Sequence, residues 1–190
     1  VKDRQTKQIR LTEGDDIKTV KELLVHGSVN YLIGRYADPK PAQPVDVYIK
    51  FVNTAENNLG IPLPAGIIRL YKQDIDGTQQ FIGEDRIDHT PSDEEVRLKA
   101  GRAFDVVAER IQTDYRQITS NRHESEWEIT VRNRKNEDVK VGIIEPLYGH
   151  WKILENSYDY KKTDAFSIRF DVEVPRGKEV KVTYRVQIGF

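Results

Sequence analysis

Apolar and polar residues alternate one by one along most of this chain. Near the C-terminus Val180, Val182, Tyr184, Val186 and Ile188 point one way, and Glu179, Lys181, Thr183, Arg185 and Gln187 the other. A two-residue period of this kind is that of a strand with one buried and one wet face. The same period runs through Phe166, Ile168, Phe170, Val172 and Val174, through Trp127, Ile129 and Val131, and through Val139, Val141 and Ile143. Further strands are expected over residues 45–52, 67–72, 79–84, 96–99 and 103–118. Helical spacing is confined to Ile17, Val20, Leu23 and Leu24, with Asp15 and Asp16 available as caps. Val20, Val25 and Gly27 fit a strand ending in a turn, and the strand-like surroundings favour that reading.

The connections carry turn chemistry. Asp76-Gly77 lies between two β runs, the usual hairpin signal. Residues 134–138 (RKNED) and Pro175-Arg176-Gly177 join alternating strands in the same way. Short strands joined by such turns predict an all-β, antiparallel β-sandwich of immunoglobulin-like architecture, with room for two packed β subdomains. Residues 37–44 (ADPKPAQP) hold three prolines in eight positions, which argues for an extended surface connection and against a central strand. Residues 119–124 (TSNRHE) are polar and mark the expected border between an N-terminal part, 1–119, and a C-terminal part, 120–190, which can still share one core. No internal repeat is visible in the sequence.

Composition narrows the function classes. Lys and Arg total 30 against 31 Asp and Glu, and the charges alternate along strands, so the basic footprint of a nucleic-acid binder is missing. With no cysteine there is no disulfide, thiolate nucleophile or cysteine-held metal. No apolar run approaches the roughly 18 residues of a membrane-spanning helix, so no membrane insertion is expected. A chain that starts at Val1 and contains no Met is expected to be a piece of a longer product.

Three strings resemble a known bacterial family. LPAGIIRLYKQDIDGTQQFIGEDRIDHTPSDEEVRLKAGRAFDVVAER (63–110), EWEITVRNRKNEDVKVGIIEPLYGHW (126–151) and DAFSIRFDVEVPRGKEVKVTYRV (164–186) are similar to a family of unknown function, DUF4139, as is the YIKFVNTAENNLGIPLPAG (48–66) that leads into the first. The resemblance covers roughly residues 45–190. It implies a β-rich domain of bacterial proteins that are often exported, hence an exported or periplasmic location with a cytoplasmic one still open. It implies no activity and transfers no catalytic residue.

Candidate chemistry is sparse. Glu84, Asp85, Asp88 and His89 crowd into six residues with Arg86 among them, a composition suited to a divalent metal or to acid–base work. On a strand, though, Glu84 and Asp88 face one way and Asp85 and His89 the other, which favours a solvated strand end. Asp74-Ile75-Asp76-Gly77 opens like a calcium loop, but Gly83 stands where the terminal Glu is required. The histidines, His26, His89, His123 and His150, show no metal-ligand spacing, and no nucleophile motif or phosphate-cradling loop is present. Tyr148, Trp151, Tyr158 and Tyr160 could offer aromatic faces to a ligand or anchor the core. The reading that follows is a non-catalytic module that binds a protein or cell-envelope component, without a cofactor, through the Tyr148 to Tyr160 segment. The alternative is a metal-binding or metal-assisted hydrolytic domain built on Glu84, Asp85, Asp88 and His89.

Overall fold

The structure is a computed structural model and describes residues 13–32, 34–35 and 43–190. Among the described residues eleven strands account for nearly all the regular structure: β1 (Val20–His26), β2 (Gln43–Val52), β3 (Gly66–Gln73), β4 (Gln79–Ile87), β5 (Glu95–Thr119), β6 (Arg122–Asn133), β7 (Val139–Pro146), β8 (His150–Asn156), β9 (Tyr160–Asp164), β10 (Ser167–Val174) and β11 (Glu179–Gly189). The all-β, sandwich-like expectation holds. Val20, Leu23 and Leu24 lie in strand β1 and not in a helix, as the surrounding pattern favoured, and Ile17 precedes the strand.

The chain forms two compact units: residues 1–20 with 49–98, and residues 21–48 with 99–190. The expected border at 119/120 is therefore corrected. Residues 119–122 are the tight turn of the β5–β6 hairpin, and both strands there belong to the second unit. A polar stretch marks a solvent-facing turn as readily as a linker, and here the pairing of Val106 through Thr119 with Asn133 through Arg122 joins the two sides. The proline-rich stretch needs a smaller correction. Residues 37–42 lie outside the described residues, but Gln43 and Pro44 open β2, a strand in the middle of the sheet order. Proline is compatible with the first positions of a strand, where no ladder donor is lost.

In the second unit the strands form one hydrogen-bonded sheet, in the order β8-β11-β6-β5-β2-β1-β7-β10-β9. It is mixed, because β1 runs parallel to β7. The sheet folds over on itself: Phe170 of β10 meets Tyr184 of β11 at 5.6 Å between ring centroids. Trp127, Ile129, Val131, Val141, Ile143, Ile168, Phe170, Val172, Val182, Tyr184, Val186 and Ile188 fill the space between the layers, all essentially inaccessible. These are the inward positions of the alternating strands. Phe166 is the exception, since it precedes β10 and is half exposed.

Two turns that read as hairpins are crossovers. Strands β6 and β7 are not neighbours in the sheet, nor are β10 and β11, so residues 134–138 and 175–178 carry the chain from one layer to the other. Asn133, fully buried, holds both. Its Nδ2 donates to Glu137 O at 2.8 Å and to Val174 O at 3.0 Å, its Oδ1 accepts from Lys135 N at 2.9 Å, and its own N–H reaches Lys178 O at 2.9 Å.

In the first unit β3 and β4 form a two-stranded antiparallel ribbon. Its tip is the expected turn: Asp74 N donates to Thr78 O at 2.9 Å, Gly77 N to Asp74 O at 3.0 Å, and Gly77 takes φ 85°, a conformation that costs glycine nothing. The base is tied by Asn53, also fully buried, whose Nδ2 donates to Ile61 O at 2.7 Å and Pro91 O at 2.8 Å.

Candidate functional site

The carboxylate–histidine stretch does not assemble. Strand β4 sends Glu84 and Asp85 to opposite faces; Glu84 pairs with Arg69 across the ribbon at 3.2 Å. Asp85 Oδ1 accepts from Arg86 N at 2.8 Å, and His89 Nδ1 accepts from Ala65 N at 3.3 Å. Asp88 and His89 are exposed beyond the strand end. Among the described residues no three His, Asp or Glu side chains come together as a metal site. The alternation of a strand is the reason: neighbours such as Glu84 and Asp85 cannot share one face. His123 is buried apart from the others, 5.4 Å from Tyr115 and 6.2 Å from Phe190 between ring centroids.

The aromatic segment is divided as well. Residues 150–156 and 160–164 are strands β8 and β9, the two outermost in the sheet order. Trp151, Tyr158 and Tyr160 are partly buried and pack against the core of the second unit. Trp151 Nε1 donates to Ala165 O at 2.9 Å and Lys162 Nζ lies 4.6 Å from its ring centroid, so this residue joins the two ends of the sheet. Tyr148 alone of the four is open, stacked on Phe166 at 5.7 Å. Trp151→Ala is therefore expected to lower stability by about 1–3 kcal/mol, measured by chemical denaturation. A change below about 0.5 kcal/mol would return Trp151 to the surface.

The most polarised cluster lies inside the sandwich and was not singled out from the sequence. Arg110 of β5 and Glu145 of β7 form a two-pronged ion pair with side chains 2% and 3% exposed. The Tyr184 hydroxyl donates to Glu145 Oε2 at 2.8 Å, and the Arg110 guanidinium carbon lies 5.9 Å from the Trp127 ring centroid. Burial first, then the adjacent Glu145 charge, pushes the Tyr184 phenol well above its ordinary range. Gly27 completes the enclosure: a Cβ there would stand 2.9 Å from Glu145 Oε2. The signal was legible in the period itself, since Arg110 continues Val106 and Ala108, and Glu145 continues Val141 and Ile143. Buried between the layers, the cluster is placed to hold them in register.

Exposed apolar side chains concentrate on the β3–β4 ribbon. Ile67, Tyr71, Ile75, Phe81 and Ile82 are all exposed there. Tyr71 and Phe81 are cross-strand partners, edge to face at 5.6 Å, and the Arg69–Glu84 pair shares their face. The opposite face carries Ile68 and Leu70, which are only partly exposed. Both faces of this ribbon are apolar, so single-face alternation did not reveal it; the run of apolar residues through both strands is the signal that could have. Comparison with known proteins finds no matching family model, no similar curated protein and no similar solved structure.

Proposed function

We propose that the chain is a non-catalytic binding module, of the bacterial family its motif strings resemble, and that the β3–β4 ribbon of the first unit receives a protein or cell-envelope partner. The observation that carries this reading is the exposed Tyr71–Phe81 pair, with Ile67, Ile75 and Ile82 also exposed on the same ribbon and its turn. Contiguous exposed apolar surface rimmed by charge is characteristic of interaction sites, and aromatic side chains supply much of the binding energy where they occur at interfaces. A two-stranded ribbon is marginal by itself, and a partner laid against it would bury what water now meets. The charged residues fit the same reading, since many are engaged with one another in pairs such as Arg132–Glu109 at 2.6 Å and Arg185–Glu126 at 2.6 Å. The Tyr148–Phe166 stack is a smaller surface with one aromatic pair.

A photo-crosslinking phenylalanine derivative placed at Tyr71 or Phe81 tests the proposal in envelope and soluble extracts of the source organism. One partner captured at both positions, and not at Lys161 on the second unit, is the expected result. Capture at Lys161 alone, or at none of the three, would overturn it.

A further inference from the structure

Each unit contains the same construction, which the sequence hides. A strand ends in a fully buried asparagine, Asn53 after β2 and Asn133 at the end of β6. In each, Nδ2 donates to a carbonyl of the following loop (Ile61 O, 2.7 Å; Glu137 O, 2.8 Å) and to a carbonyl of a distant proline turn (Pro91 O, 2.8 Å; Val174 O, 3.0 Å). In each, Oδ1 accepts from a loop N–H (Gly60, 3.1 Å; Lys135, 2.9 Å), and the asparagine N–H reaches the residue just past a left-handed turn position. Those positions are Asp93 at φ 70° before Glu94 and Gly177 at φ 65° before Lys178. The flanking sequences then align: Arg86-Ile87-Asp88 with Arg169-Phe170-Asp171 ahead of the turn, and Glu95-Val96-Arg97-Leu98 with Glu179-Val180-Lys181-Val182 after it. The second turn is one residue longer. On this alignment β3 and β4 are the counterparts of β7 and β10, antiparallel in both cases.

The copies also differ in what joins these strands. Between β7 and β10 the second unit inserts β8 and β9, and β9 pairs antiparallel along the outer edge of β10. The first unit closes β3 directly onto β4, and among the described residues nothing pairs with the other edge of β4. We infer that the chain is built from two copies of one β unit, and that the free edge of β4 takes an extended segment of a protein partner bearing lysine and tyrosine, antiparallel, in the place that β9 holds on β10. This rests on the binding reading of the ribbon and specifies its occupant. Charge agrees with the geometry. Glu84 is already paired with Arg69, and Asp88, exposed just beyond the strand end, is the acidic group this edge presents. In the second unit Lys161 of β9 reaches Asp171, the counterpart of Asp88, at 3.6 Å. Main-chain pairing would supply affinity and the flanking side chains specificity, as in strand addition generally.

The probe is a fluorescent peptide copying residues 158–165 of this chain, Tyr-Asp-Tyr-Lys-Lys-Thr-Asp-Ala. The expected result is saturable binding to the intact chain, with backbone amide shifts concentrated on residues 79–88. Asp88→Lys should weaken binding about tenfold, and a scrambled peptide should bind no better than that variant. Shifts centred on β10, an unchanged affinity for Asp88→Lys, or no saturable binding at roughly millimolar peptide would each overturn the inference. Crosslinking at Tyr71 and Phe81 without peptide binding removes strand addition and leaves the ribbon surface; failure of both removes the surface too.

Discussion

Glu145→Ala should cost the second unit about 3–5 kcal/mol, because it leaves the Arg110 guanidinium buried without its counter-charge. The reverse truncation, Arg110→Ala, should cost a similar amount. Tyr184→Phe removes one hydrogen bond to the same carboxylate and should cost about 1–2 kcal/mol. Replacing the group as a whole is different. Arg110→Met with Glu145→Leu and Tyr184→Phe takes away both charges and the hydroxyl together, and such exchanges are often neutral or stabilising by about 1–4 kcal/mol. The measurement is urea denaturation followed by tryptophan fluorescence. Both tryptophans, Trp127 and Trp151, belong to the second unit, so the signal reports on that unit alone. The midpoint should move while the slope stays constant. Single truncations within about 1 kcal/mol of wild type would mean that water reaches the pair, which the few per cent exposure of both side chains argues against.

The triple replacement also asks what the ion pair is for. A sandwich made by folding one continuous sheet has to fix how its layers meet, and apolar side chains tolerate sliding better than a two-pronged Arg–carboxylate pair does. If the apolar variant is stable but shows broadened or doubled NMR signals in β5 and β7, the cluster specifies the arrangement more than it stabilises it. If the spectrum stays sharp, packing of Trp127, Phe170 and Ile143 suffices.

How much of this the sequence displays depends on whether the determinant is local. The period of two in β6, β7, β10 and β11 placed nearly every core residue on its correct face. It could not tell a hairpin from a crossover, because RKNED and PRG have the same turn chemistry whichever layer the next strand joins. Strands β8 and β9 carry little alternation and sit at the sheet ends, so their aromatic residues read as a ligand platform, whereas most of them seal the core. The two strands expected over 96–99 and 103–118 are one, β5, which runs on unbroken from Glu95 to Thr119. The metal reading failed for a reason the sequence already contained, the opposed faces of Glu84 and Asp85. The repeat was concealed by the inserted β8 and β9 and by a turn one residue longer, and only the matching hydrogen bonds of Asn53 and Asn133 make it visible.

Those two asparagines give the remaining large effect. Asn133→Ala removes two donors and an acceptor from a fully buried position and strands the carbonyls of Glu137 and Val174 and the N–H of Lys135. At about 1–3 kcal/mol for each buried group left unsatisfied, the loss should reach about 3 kcal/mol. Asn133→Asp should fare little better, since a carboxylate replaces the amide donor beside two carbonyl oxygens. Asn53→Ala makes the equivalent cut in the first unit, at Ile61, Pro91 and Gly60. If the two are copies of one keystone, the costs should match, but the readouts should differ. Asn133→Ala should shift the tryptophan transition and raise amide exchange at residues 134–138 and 175–178. Asn53→Ala should raise exchange at residues 54–61 and 91–94 while leaving the tryptophan transition close to wild type. A shared unfolding transition for both variants would mean that the units unfold as one cooperative body, and a small effect at one asparagine alone would mean that the matching bonds do not carry matching weight.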